Sequence, residues 1–158
     1  MLSIKFLWEI MTAKENGEMF TQLTLEIFKL SGMLNNEGDE LTKEFGLTSS
    51  RWKILGASEM SESRHTVPQI ARTMGQSRQA VQRLVDVMTK DGLLNLVDNP
   101  NHKRAKYVEL TPKARKIFYK LFDKQIPWAE HCSEGLSHKE LETTLKVITM
   151  ISNKLSKE

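Results

Sequence analysis

The chain has 158 residues, 39% apolar and 27% charged, a balance that suits one globular domain with a core of its own. Its net charge is +3 and Cys132 is its only cysteine, which excludes an internal disulfide and leads us to expect a reducing, cytoplasmic setting. The opening residues hold an apolar patch interrupted by Lys5 and Glu9, without the core or cleavage site of a secretory signal, and no stretch reads as a membrane span.

The apolar spacing predicts a short amphipathic helix over residues 2–12, with Ile4, Leu7, Trp8 and Met11 on one face, and then a loop around Asn16 and Gly17. A longer helix follows from about Glu18 to Leu34, where Phe20, Leu23, Ile27, Leu30 and Leu34 repeat as on a helix packed lengthwise against another. Gly38 and Asp39 are expected to interrupt it. Thr48 then caps a helix from about Ser49 to Met60 that carries Trp52, Ile54, Leu55 and Met60 inward.

Residues 66–92, TVPQIARTMGQSRQAVQRLVDVMTKDG, predict two short helices joined by a tight turn. Thr66, Pro68 and Gln69 form a helix start with a capping box, Gly75 supplies the left-handed stop, and Ser77 caps the second helix. On that helix Val81, Leu84, Val85 and Met88 share one face, while Gln79, Gln82, Arg83 and Asp86 share the opposite one. Amides and guanidinium on an exposed helix, behind a supporting helix and a short turn, suit a helix-turn-helix laid in a DNA major groove. Alone, the motif also fits a helical hairpin with a solvated face.

The residues after Gly92 decide between the two. Leu93–Val97 and Ala105–Leu110 read as short strands around the turn-forming, basic stretch DNPNHKR at 98–104, which predicts a β-hairpin with Lys103 and Arg104 at its tip. A hairpin behind a helix-turn-helix is a wing. From Arg64 to Lys106 the local charge is +5, more than that of the whole chain, as a polyanion partner requires.

Thr111 and Pro112 open a long helix in which Ala114, Phe118, Leu121, Gln125 and Trp128 keep the 3-and-4 repeat, and Pro127 is expected to kink it. Gly135 ends it, Ser137 and Glu140 form a second capping box, and Leu141, Leu145, Ile148, Ile151 and Leu155 line a last helix. These stripes exceed what a small winged centre covers, so part of them is expected to be buried between chains. Cys132 reads as a buried structural thiol. His131, Cys132, Glu134 and His138 straddle a helix end without a standard ligand spacing, so no metal and no cofactor is assigned. No phosphate loop, nucleophile motif or paired carboxylates point to an enzyme.

The segments at 47–55, 69–86, 92–94, 99–115 and 135–141 together resemble the MarR family of bacterial transcriptional regulators, over about residues 18–156. The resemblance implies a mainly helical fold with a small β-wing: one domain over 1–158, a winged core at about 48–110, and dimerisation helices at about 18–45 and 112–156. It implies a homodimer on a palindromic double-stranded operator, a repressor with recognition helix 77–91 in the major groove and wing 98–104 in the minor groove. Ser77, Arg78, Gln79, Gln82 and Arg83 would meet the major groove, and Lys103 and Arg104 would serve the wing. It also implies room for a small-molecule effector, in a pocket lined in part by Trp52, Phe118 or Phe122. Two positions depart from the family pattern: His102 stands where an acidic residue is common two before the wing arginine, and Ala114 where glycine is common. The first bears on how the wing tip is braced and on whether it responds to pH. The alternative reading is a winged-helix module that docks proteins rather than DNA, which would show exposed apolar anchors in place of the polar row.

Overall fold

The computed structural model describes residues 4–102 and 104–156, with side chains from residue 14 onward. It is mostly helical, with a small antiparallel sheet: α1 (Ile4–Thr42), α2 (Ser49–Glu59), β1 (His65–Thr66), α3 (Val67–Thr73), α4 (Arg78–Lys90), β2 (Leu94–Val97), β3 (Tyr107–Leu110), α5 (Pro112–Cys132) and α6 (His138–Leu155). The chain divides into two compact units, residues 1–121 and 122–158. No described helix is long and apolar enough to cross a membrane.

The two predicted N-terminal helices are one, and neither glycine breaks it. A helical glycine costs only about 1 kcal/mol relative to alanine, which the helix formers around Gly17 absorb. The predicted face of Ile4, Leu7, Trp8 and Met11 lies outside the residues whose side chains are described. Gly38 has a different task. A β-carbon there would sit 2.6 Å from Ser49 Oγ and 2.9 Å from Ser49 Cβ, so glycine is what lets α1 approach the start of α2. Asp39 completes the joint, its Oδ1 accepting the Ser49 N–H at 2.6 Å. Thr42 is buried, and its single hydroxyl proton is shared between the Gly38 and Leu47 carbonyls, 2.8 and 2.9 Å from Oγ1.

The core of the first unit gathers Ile54 and Leu55 of α2, Ile70 and Ala71 of α3, Val81, Val85 and Met88 of α4, Leu94, Val108 and Leu110 of the strands, and Ala114, Phe118 and Leu121 of α5. Trp52 packs against it. Met60 does not turn inward as expected: it caps the end of α2 and is 69% exposed, because the helix stops before that position can face the core. The hairpin strands pair as predicted, with Leu94 opposite Leu110 and Val97 opposite Tyr107. A third strand, β1, has no signal in the sequence. It is two residues long, too short to show alternation, and it pairs with the outer edge of β3. Thr111 closes the base of the wing by donating from N–H and Oγ to the carbonyls of Leu93 and Gly92 at 3.0 and 2.9 Å. Glu59, at the end of α2, accepts from Arg115 Nε at 2.8 Å and the Tyr119 hydroxyl at 3.2 Å. The Glu59 hydrogen bond and charge hold the Arg115 guanidinium above its ordinary pKa.

In the second unit α5 continues through Pro127 to Cys132, and Gly135 turns the chain at φ 81°. The capping box forms as predicted: Glu140 accepts from the Ser137 N–H and hydroxyl at 2.8 and 2.6 Å, and the Glu140 N–H donates to Ser137 Oγ at 3.3 Å. Those two bonds, the hydroxyl first, hold the Glu140 carboxyl below its ordinary pKa. Helix α6 buries no side chain.

Candidate nucleic-acid interface

Gly75, at φ 62°, ends the first helix of the pair, and the Gln76 N–H closes the turn on the Ala71 carbonyl at 2.9 Å. Ser77 then caps α4, its Oγ accepting the Ala80 N–H at 3.2 Å. The hydroxyl proton stays free to donate outward. Val81, Val85 and Met88 are fully buried, so the rotation of α4 is fixed and Arg78, Gln79, Gln82, Arg83 and Asp86 face solvent. The far end is fixed by Arg51 on α2, whose Nη1 lies 3.0 Å from Asp91 Oδ2. Asp91 caps the negative end of the helix dipole, where a carboxylate alone is unfavourable, and Arg51 offsets it.

One contact on this face is not evident from sequence. Gln82 Nε2 donates to Asp86 Oδ1 at 2.8 Å, and since a carboxylate only accepts, the amide is oriented with nitrogen toward Asp86. Its Oε1 and second N–H remain for a partner. The i, i+4 spacing is visible in the sequence, but not the pairing.

The wing tip is braced by its backbone. The Asn101 N–H donates to Asn99 Oδ1 at 2.9 Å, the His102 N–H to the Asn99 carbonyl at 3.1 Å, and the Ala105 N–H to the His102 carbonyl at 3.1 Å. Asn99 thus takes part in the turn through its side chain and its carbonyl, while the His102 side chain is exposed. Arg104 is exposed; Lys103 lies outside the described residues. The basic residues of this region divide by use. Arg64 pairs with Glu109 at 2.8 Å and Lys106 with Asp98 at 3.4 Å. Arg72, Arg78, Arg83, Lys90 and Arg104 have no carboxylate partner among the described residues.

Two clefts share lining residues of α3 and α4, and one of them reaches the wing. One, of about 450 Å³, lies between Val67 and Pro68 on one side and Arg78, Gln79, Gln82 and Arg83 on the other. The second, of about 310 Å³, shares Val67, Pro68 and Gln82 and reaches Leu96, Arg104 and Lys106. The structure thus brings Arg78, Gln79, Gln82, Arg83 and Arg104 to the lining of two clefts that share Val67, Pro68 and Gln82, with Ser77 next to Arg78 in sequence. Val67 and Pro68 mark only a helix start in the sequence, and nothing in their spacing identifies them as lining both clefts.

Elsewhere one expectation changes. Cys132 is exposed, not buried, because it is the last residue of α5, at the helix end just before the turn. Phe118 is 4% exposed, inside the core. A cavity of about 610 Å³ is lined by Lys53, Ala57, Met60, His65 and Met74 among others. There His65 Nδ1–H donates to the Ala57 carbonyl at 3.1 Å and Nε2 accepts from the Ser61 hydroxyl at 3.0 Å. Among the described residues no three His, Cys, Asp or Glu side chains cluster to hold a metal ion.

A family model described as MarR family matches residues 45–105. An uncharacterised protein of Mycobacterium tuberculosis is 30% identical over 128 residues, 81% of this chain and 88% of its own length. A crystal structure of a MarR/EmrR family transcriptional regulator from Acinetobacter sp. ADP1 is similar with a TM-score of 0.77 at 20% identity, over 87% of this chain and 96% of that one. MepR of S. aureus, solved as a DNA complex, is similar with a TM-score of 0.72 at 17% identity, over 84% and 97%. At these identities the two structures show a shared fold.

Proposed function

This chain belongs to the MarR family of transcriptional regulators, and on that premise we propose that it acts as a homodimeric repressor on a palindromic operator. The observation that carries the reading is that exposed cations and amides of α4 and the wing, Arg78, Gln79, Gln82, Arg83 and Arg104, line two clefts that share residues. In this reading α4 enters the major groove. Gln79 and Gln82 have the donor and acceptor pair that matches adenine, and Arg83 matches guanine O6 and N7. Ser77 and Arg78, at the positive end of the α4 dipole, meet phosphates. Arg104 enters the adjacent minor groove with Lys103 beside it, adding charge attraction where the groove is narrow.

Two copies are needed because the outer helices expose apolar side chains that a single chain leaves in water. Phe28 on α1 is 70% exposed, and Leu145 and Leu155 on α6 are 66% and 72% exposed. Covering these with a second chain spaces two recognition helices for two half-sites. Repression then follows from occupancy of the operator. A small-molecule effector would release it by favouring a dimer whose half-site spacing no longer matches, and the cavity beside His65 is large enough to hold one.

Selection of bound DNA from a random pool tests the reading. It predicts two inverted half-sites centred about 10 base pairs apart. Affinity for the selected site should fall by about 10³-fold or more between 50 and 200 mM salt, as six or more released phosphate counterions require. Enrichment of no sequence, or binding indifferent to salt, would overturn it.

A further inference from the structure

We propose that Pro68, with Val67 next to it in the chain, reads a thymine methyl group in each half-site. The inference rests on the placement of α4 in the major groove and extends base reading to α3, outside the recognition helix.

Val67, Pro68 and Gln82 line both clefts of the interface, so they stand where helix and wing meet. Arg78, Gln79, Arg83 and Arg104 supply polar lining to one cleft or the other. Val67 and Pro68, common to both, are apolar. Proline has no N–H to offer, Val67 is 8% exposed, and Leu96 adds apolar lining on the wing side. Apolar lining of this kind is a poor phosphate site, since it strips water from an anion without returning a hydrogen bond. It suits an apolar group, and the only one that the major groove offers is the C5 methyl of thymine.

Gln82 gives the neighbouring base. With Nε2 held by Asp86 at 2.8 Å, its Oε1 and remaining N–H match the N6 donor and N7 acceptor of adenine. Pro68 and Gln82 line the same two clefts, so the step read here carries an adenine against Gln82 and a thymine methyl against the Pro68 ring. The proline is already required to start α3, where its missing N–H costs nothing. Its ring serves as the contact without further change.

The test uses the full chain and an operator selected from the random pool. Each thymidine of a half-site is replaced singly by deoxyuridine, which removes the methyl and leaves the pairing edge intact. One position should lose affinity by about fourfold, the worth of one buried methyl at ~0.8 kcal/mol. A Pro68→Ser chain should lose that discrimination at that position alone while keeping the preference for the adjacent adenine. Equal affinity for thymidine and deoxyuridine at every position in the parent chain overturns the proposal, whether or not the variant folds. Unchanged discrimination in a folded Pro68→Ser chain, checked by thermal melting, also overturns it. Failure to select any operator would be a separate result, overturning the placement of α4 and this inference with it.

Discussion

Every buried apolar side chain among the described residues lies between Leu47 and Leu121, whereas α6 buries none and keeps Leu141, Leu145 and Ile148 at 41%, 66% and 38% exposure. Both regions are amphipathic by sequence. The difference is that α2, α3, α4 and the wing cover one another within one chain, while α6 and much of α1 do not. The winged unit is therefore a finished object that one chain can hold ready for DNA. In the proposed dimer, the apolar side that α1 and α6 leave exposed is what a second copy would cover.

Disrupting the outer helices should have the greatest consequence. A Leu145→Glu, Ile148→Glu chain should be monomeric by light scattering and bind the full operator at least about 100-fold more weakly, since the second half-site no longer gains from linkage. Hydrogen exchange in α3 and α4 should stay protected. A dimer of undiminished affinity would show that this face is not the interface.

Two glycines of α1 probe the same contrast next. A β-carbon added at Gly17 would meet nothing within 4 Å, whereas one added at Gly38 would run into Ser49. Gly17→Ala should raise stability by about 0.5–1 kcal/mol, and Gly38→Ala should lower it by about 1–3 kcal/mol. Urea unfolding of both variants reads the two signs, and equal signs would remove Gly38 as the close contact between α1 and α2.

Arg104→Ala comes third, an expected loss of about tenfold in operator affinity with an unchanged melting temperature. A gel-shift titration that shows no loss takes the wing arginine out of the interface. The mildest change concerns acid. The Glu140 carboxyl is held low by Ser137, so its contribution to the start of α6 is complete above its unfolded pKa and is lost as pH falls through the folded one. Helicity followed by circular dichroism from about pH 6 to about pH 3 should decline in the parent beyond the decline in a Glu140→Gln chain. Matching curves would remove the capping box as the cause.

Local chemistry explains which features are legible in the sequence. Thr66, Gly75, Ser77, Ser137 and Glu140 act on neighbours within a few residues, so their caps and turns are where the spacing puts them. The face of α4 follows from a 3.6-residue period over a long enough run. The hidden features depend on residues far apart in the chain. Gly38 reads as a helix break because its partner, Ser49, is on another helix. His65 and Thr66 give no strand signal because β3 supplies their pairing. Pro68 reads as a helix start and no more, because its neighbours across the cleft, Gln82 and Arg104, come from later elements.

In this scheme the unfinished outer helices hold two copies of the finished winged unit at a fixed spacing. Inserting about five base pairs, half a helical turn, between the half-sites of the selected operator probes that spacing. The second recognition helix then faces the wrong side of the duplex, and affinity should drop to that of a single half-site while an isolated half-site binds as before. Equal affinity for the native and the lengthened operator would contradict the scheme.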